Sequence, residues 1–179
     1  MTQVGNVYGT ALYTLAHEEQ LTGNLLEELS VLSQCFRENP DFIRLLSSPN
    51  LPKQERCQIL DDSFRGKVHA YVLNFLKILT EKGYMKFFQD CVTTYEDQFN
   101  RDNGILPVTA ITAIAMDDAQ VQKLAEKLSR VTSKQIKLLN KVDPDVLGGV
   151  RLDYDGKRLD DTVSHRMEAI TKALKGTVL

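Results

Sequence analysis

The chain has 179 residues, of which 42% are hydrophobic and 26% charged, and its formal net charge is −2. This is the composition of a soluble globular protein with one domain or two small ones. Lys and Arg are interspersed with Asp and Glu, which argues against nucleic acid as a partner. Because no apolar run approaches the ~20 residues that cross a bilayer, we expect no direct membrane insertion.

Residues 1–103 have the pattern of successive helices. In the first, apolar residues from Val4 to Ala16 follow the i, i+3, i+4, i+7 spacing of an amphipathic helix. The breaks that separate the helices are Asn39-Pro40, Ser48-Pro49, Gly66, Gly83 and Asn103-Gly104. Short breaks between so many apolar stripes predict an all-α six-helix bundle over residues 1–104.

The pattern changes after Gly104. Residues 105–116 are rich in Ile, Val, Thr and Ala and predict a strand. Residues 119–132 have helical spacing, and Asp117 and Asp118 stand where an N-cap and a first-turn acid belong. Residues 135–143 predict a second strand.

Residues 148–154 and 157–161 predict a β-hairpin with its turn at Asp155-Gly156. A last helix is expected from Thr162 to Lys175, with its apolar side formed by Val163, Met167, Ile170 and Leu174. Residues 105–179 are therefore predicted to form a small α+β (α/β-like) C-terminal domain.

Two of the predicted helices carry more apolar surface than a simple bundle requires. An ordinary bundle helix needs an apolar arc of roughly 100° around its axis. With successive residues placed about 100° apart, the apolar residues cover about 180° of the first helix and about 220° of the fifth helix, residues 68–82. The fifth helix could be the central one, covered on all sides. Alternatively, the first and fifth helices leave a groove that binds an amphipathic helix of another protein. Periodicity leaves both interpretations open.

The segment PDVLGGVRLDYDGKRLDD, residues 144–161, is the strongest candidate for chemistry. Its glycine pair, Gly148 and Gly149, precedes a strand and lacks the spacing of a phosphate-binding loop. Glycines at the entry of a strand more often permit a bulge or a close approach of two backbones. We therefore predict a structural role for the pair.

The acidic and histidine side chains do not form a recognisable site. A metal site would draw on Asp153, Asp155, Asp160, Asp161 and His165, whose spacing does not match an EF-hand loop. Aspartates beside a turn and before a helix are typical of turn and cap positions. The remaining histidines and the cysteines have no nucleophile motif or zinc spacing; they are His17, His69, Cys35, Cys57 and Cys91. No catalytic residue, cofactor or metal ion is expected.

The C-terminal segment resembles the signature of a known family. Its matching elements, in order and spacing, are Val142-Asp143, Gly148-Gly149-Val150, Gly156 and Asp161-Thr162-Val163. They resemble the delta subunits of rotary F-type ATP synthases, the family of the mitochondrial oligomycin-sensitivity-conferring protein. The opening VYGTALYTLA and the later FLKILTEKGYM are similar to the family's first and fifth helices. The resemblance therefore covers the whole chain.

This resemblance implies a non-catalytic stator subunit that links the catalytic alpha/beta head to the peripheral stalk and resists rotor torque during proton-driven ATP synthesis. Residues 1–104 would bind the N-terminal helix of an alpha subunit, and residues 105–179 the C-terminal helices of the b subunits. One copy would belong to a large complex at the cytoplasmic face of a bacterial plasma membrane, although a mature organellar chain would look similar.

The resemblance also implies groove residues, because the family's alpha-binding groove lies between helices one and five. Matched by position, they are Tyr8, Ala11, Leu12, Leu15, Phe75 and Ile78. Leu79 is expected in the core instead. Two other functions stay open: a free-standing helical adaptor for an unrelated partner helix, and a metal hydrolase that would need several carboxylates to converge on His165.

Overall fold

The computed structural model describes residues 2–48, 50–146 and 148–162. The chain divides into two compact units, Met1–Phe99 and Asn100–Leu179. The helices of the described residues are α1 Gln3–Glu18, α2 Thr22–Glu38, α3 Pro40–Ser47, α4 Lys53–Phe64, α5 Ala70–Lys82, a 3-10 helix at Met85–Phe87, α6 Phe88–Asp102 and α7 Asp118–Thr132. The strands are β1 Ile105–Thr112, β2 Gln135–Val142, β3 Val150–Tyr154 and β4 Lys157–Asp160. The helix predicted after Thr162, with its apolar residues, lies outside the described residues.

The first unit is helical, and its helices share one core of apolar side chains. Aromatic rings fill its centre: Phe36 contacts Phe42, Phe64 and Phe88, with ring centroids 5.0 to 6.0 Å apart. The sequence pattern predicts a sixth helix from Tyr84, directly after the break at Gly83, but α6 begins at Phe88. Gly83 ends α5 in the left-handed conformation, and the Tyr84 N–H donates to the Leu79 carbonyl at 2.7 Å. A single 3-10 turn then precedes α6.

Two glycines bring α1 into close contact with α6. A Cβ atom added at Gly9 would lie 2.6 Å from the Cys91 carbonyl oxygen, and one at Gly5 would lie 2.6 Å from the Asp90 Cβ. The first turn of α1 is fixed by Asp90, whose Oδ2 accepts from the Thr2 N–H at 3.1 Å and the Thr2 hydroxyl at 2.7 Å. These contacts set the face that α1 turns outward.

The position of α5 depends on two side chains of α4. Arg56 is buried, and its Nη1 donates to the Leu46 carbonyl of α3 at 3.0 Å and the Thr80 carbonyl of α5 at 3.4 Å. Both carbonyls lie in the last turn of a helix, where the macrodipole favours a cation. Asp61 forms the second link, with its Oδ1 2.7 Å from the Lys77 Nζ of α5.

We predict that the Asp61–Lys77 link loses strength in acid. Hydrogen bonding from Lys77 is the main cause that holds the pKa of Asp61 below its usual range, and Arg65 adds to it. A lowered pKa stabilises the fold above the carboxyl's ordinary pKa, and this contribution is lost as the pH falls through the folded-state value. Asp61→Asn should therefore lower the urea midpoint at about pH 7 and leave it close to wild type at about pH 2.

The matched control for this prediction is Asp62→Asn, because the neighbouring carboxylate is exposed and accepts a hydrogen bond from Gln58 of the same helix. Its urea midpoint should follow that of the wild type at every pH. A pH-independent difference between Asp61→Asn and the wild type would contradict the prediction.

The described residues of the second unit include a four-stranded mixed sheet in the order β2-β1-β3-β4. β1 and β2 are parallel and joined through α7, whereas β1–β3 and β3–β4 are antiparallel. The core between α7 and the sheet centres on Val108, Ala110 and Leu152. The predicted cap of α7 is present, because the Asp117 side chain accepts from the Gln120 N–H at 2.7 Å in a capping box.

β1 ends at Thr112, four residues before the end of the predicted strand. The Thr112 hydroxyl donates to the Ile114 carbonyl at 2.8 Å, and the Met116 N–H donates to Asn140 Oδ1 at 2.9 Å. These side-chain bonds satisfy backbone groups outside the ladder and turn the chain away from the sheet.

The glycine pair has the structural role that its position predicts. Gly149 has a φ of +85°, and a Cβ added there would lie 2.5 Å from the Asp161 carbonyl oxygen. The two backbones therefore approach closely at this point, as a strand-entry glycine permits. Among the aspartates predicted at turn and cap positions, Asp153 instead pairs with Arg158 across the hairpin, with its Oδ1 2.9 Å from the Arg158 Nε.

Candidate partner-binding surface

One side of α1 is apolar and open. Val7 is 59% exposed and Ala11, one turn later, is exposed as well. Tyr8 and Leu15 flank them and are half-buried. The opposite side of the same helix is packed into the core, with Tyr13 and Ala16 buried. The wide apolar arc of α1 therefore divides into a core-facing half and an outward-facing half.

The apolar arc of α5 is mostly covered by its own unit. Val72, Leu73, Phe75, Leu76 and Leu79 are buried, so the interpretation as a central helix accounts for most of the arc. Only its edge is accessible: Ile78 is 45% exposed and Tyr71, two turns earlier, is half-buried.

A ring contact joins α1 to the segment that directly follows α5. The Tyr8 and Tyr84 centroids are 5.8 Å apart in an edge-to-face arrangement. Tyr84 directly follows Gly83, the residue that ends α5. Tyr8, Tyr71 and Tyr84 also pack against the same core cluster. We call Val7, Tyr8, Ala11, Leu15, Tyr71 and Ile78 together the α1–α5 surface.

The α1 side of the α1–α5 surface carries no charge over most of its length. From Gln3 to Ala16, α1 contains no charged residue. On α5, Lys77 pairs with Asp61 at 2.7 Å, and the exposed Glu81 and Lys82 follow one turn after Ile78. Depletion of charge together with exposed apolar and aromatic side chains is typical of the core of a protein–protein interface. An apolar face of this kind fits an amphipathic helix as its partner.

The six residues that the resemblance implies for the groove fall into two groups. Tyr8, Ala11, Leu15 and Ile78 are exposed or half-buried. Leu12 and Phe75 are buried in the core of their own unit and are not accessible to a partner. Leu79 is fully buried. Val7 was not among the residues predicted for the groove. It stands four residues before Ala11 on the same side of α1, and its side chain is more exposed than that of Ile78 on α5.

The described residues offer little for nucleophilic or metal chemistry. Burial raises the pKa of the Cys91 thiol to about 11, and burial together with Glu81 raises that of Cys57. A thiol with a raised pKa carries little thiolate at neutral pH and is a poor nucleophile. Among the residues that the structure describes, no group of three or more His, Cys, Asp or Glu side chains could hold a metal ion. His165 lies outside them.

The part of the chain that is described also contains no helix long and apolar enough to cross a membrane.

The chain is similar to known proteins over nearly its whole length. The profile of the family described as ATP synthase delta (OSCP) subunit matches residues 4–174. The ATP synthase subunit delta of Alkaliphilus oremlandii is 34% identical over 171 residues, which is 96% of this chain and 95% of that protein. The protein of the same name from Clostridioides difficile is 30% identical over 176 residues, 98% of this chain and 97% of that one.

The fold is also similar to that of a solved structure. A chain in the cryo-EM structure of the Toxoplasma gondii mitochondrial ATP synthase hexamer superimposes with a TM-score of 0.75 at 17% identity. The alignment covers 97% of this chain and 98% of that one, so the likeness extends over both units.

Proposed function

The chain belongs to the ATP synthase delta (OSCP) subunit family, and from this membership we propose that it is a non-catalytic stator subunit of a rotary F-type ATP synthase. The observation that carries this function is the family match over residues 4–174, together with relatives of at least 30% identity that are covered almost completely. A free-standing adaptor for an unrelated helix would require no such match in its C-terminal unit, so the stator role is favoured.

The partner of the α1–α5 surface, in this proposal, is the N-terminal helix of an alpha subunit. Three features support it: the exposed Val7 and Ile78, the uncharged length of α1, and the ring contact that joins α1 to the end of α5. A helix with apolar residues at i, i+3, i+4 and i+7 would cover these side chains.

The two units take different partners in this proposal. Residues 1–104 form the six-helix bundle that sits on the alpha/beta head, and residues 105–179 bind the C-terminal helices of the b subunits. The subunit acts as a single copy on the cytoplasmic face of a bacterial plasma membrane. It contributes no cofactor and no catalytic group.

The mechanism of such a subunit is mechanical. The rotor exerts torque on the alpha/beta head, and rotation can drive conformational change in the head only if the head is held still. An apolar helix–surface contact serves this purpose, because its free energy grows with buried area at ~25 cal/mol per Å² and is expressed mainly as slow dissociation.

We predict that the full-length chain binds a peptide of the first ~25 residues of the alpha subunit from the same organism. Calorimetric titration should give a saturable one-to-one complex with a negative heat-capacity change, the mark of apolar burial. Circular dichroism should show a gain of helix in the mixture. A peptide with the same composition in scrambled order is the control, and no heat or helix gain at high micromolar peptide would overturn the assigned partner.

A further inference from the structure

His69 occupies a position that short polar side chains usually fill. It is the N-cap residue of α5, and its Nδ1 accepts a hydrogen bond from the Tyr71 N–H at 3.3 Å. Helix N-caps are usually Ser, Thr, Asp or Asn, whose oxygens remain acceptors at any pH near neutrality. An imidazole nitrogen accepts only in the neutral ring, with the proton on Nε2.

Protonation of this ring would change the start of α5 in two ways. An imidazolium has two N–H donors and no acceptor, so the Tyr71 N–H would lose its partner. The new positive charge would also stand at the N-terminus of α5, where the macrodipole disfavours a cation. Histidine is the side chain that ordinarily changes its charge between pH 5 and 8.

Three neighbours of His69 carry a charged or titratable group. Glu28 of α2 accepts a hydrogen bond from the His69 backbone N–H through its Oε2 at 2.7 Å. The centroid of the Tyr71 ring lies 5.0 Å from that of the imidazole. Lys67, in the loop before α5, donates to the Ser63 carbonyl at 2.9 Å. Glu28 would attract an imidazolium, but solvent screens this attraction because both residues are only partly buried.

We propose that His69 makes partner binding at the α1–α5 surface pH-sensitive, because it caps α5 only while its imidazole is neutral. The residue whose backbone it caps, Tyr71, belongs to that surface and lies two turns before Ile78 on the same side of α5. If the first turn of α5 loosens, Tyr71 moves, and the part of the α1–α5 surface that it forms changes shape. This regulation rests on the proposed function of the surface.

The cap itself is tested without a partner, on the full chain, by amide hydrogen exchange at Tyr71 at about pH 5.5 and 7.5. His69→Asn is the informative variant, because its side-chain oxygen accepts the same bond and does not titrate. After correction for intrinsic exchange, acid should reduce the protection of the Tyr71 N–H in wild type roughly two- to fivefold more than in His69→Asn. His17→Asn, which removes an exposed histidine of α1, should behave as wild type. Equal pH dependence in wild type and His69→Asn would overturn the proposal.

The effect on binding is measured with the alpha-subunit peptide at the same two pH values. Wild type should lose roughly two- to fivefold more affinity in acid than His69→Asn, whose remaining pH dependence reports the titration of the peptide. Loss of the cap without this difference in affinity would overturn the regulatory role. Absence of any peptide binding would refute the proposed partner instead, and the exchange measurement would still decide whether His69 is a proton-dependent cap.

Discussion

Ile78→Glu should weaken binding of the alpha-subunit peptide by ~100-fold or more while the chain stays folded. A glutamate at this position would place a carboxylate in an apolar contact, and burial of an unpaired charge costs several kcal/mol, of which ~3 kcal/mol already gives this factor. In the free protein the side chain is 45% exposed, so the free energy of unfolding should fall by no more than about 1–2 kcal/mol and the chain should stay folded. Calorimetric titration and urea unfolding of the same variant measure the two quantities.

Val31→Glu is the matched control for this experiment. Val31 is also a large apolar residue on a helix of the first unit, 69% exposed on α2, but it is not part of the α1–α5 surface. The control should bind the peptide as wild type does. A second variant, Ala11→Asp, tests the α1 side and should lose affinity as Ile78→Glu does. Equal losses for Val31→Glu and Ile78→Glu would show that the surface is assigned wrongly.

The ends of several helices are predictable from the sequence, because they depend on residues that are close together in the chain. Gly83 ends α5 because it adopts a left-handed φ of 72°, and Asp117 begins α7 because it forms a capping box. The end of β1 was not predictable, since it depends on Asn140 of β2, which accepts from the Met116 N–H and donates to the Thr112 hydroxyl only once β2 lies beside β1. The strand order β2-β1-β3-β4 likewise follows from non-local pairing.

The candidate surface was predictable only in part, because the width of an apolar arc does not tell which neighbours cover it. Both wide arcs were visible, yet Phe75 and Leu12 are covered by helices of their own unit, while Val7 is left open. The absence of charge from Gln3 to Ala16 was a further signal, and it separates an interface helix from an ordinary surface helix. The cap by His69 had no sequence signal, because histidine is not a preferred N-cap residue.

The close contact between α1 and α6 gives the second large effect, and it concerns stability. In Gly9→Ala the added Cβ would lie 2.6 Å from the Cys91 carbonyl oxygen and 2.8 Å from the Thr94 Cβ, so the helices must separate. Overpacking of this kind costs roughly 1–3 kcal/mol, more than alanine gains over glycine in a helix. Urea unfolding should therefore show a lower midpoint for Gly9→Ala.

The matched control is Gly23→Ala, which should change the free energy of unfolding in the opposite direction to Gly9→Ala. Gly23 lies in the first turn of α2, and a Cβ added there meets nothing within 4 Å. Gly23→Ala should therefore raise the free energy of unfolding by up to ~1 kcal/mol through helix propensity and a more restricted unfolded chain. If Gly9→Ala is as stable as Gly23→Ala, then α1 does not depend on a close approach to α6.

The same substitution also separates the stability of α1 from the geometry of its outward face. Gly9 and Val7 point to opposite sides of α1, since two residues correspond to about 200° of rotation. A shift away from α6 at Gly9 must therefore move Val7 and Ala11 outward, and the peptide should bind Gly9→Ala more weakly although no surface residue is changed. Gly23→Ala should bind as wild type. Unchanged affinity in a destabilised Gly9→Ala would mean that the α1 contact supports the fold without setting the position of the partner-binding face.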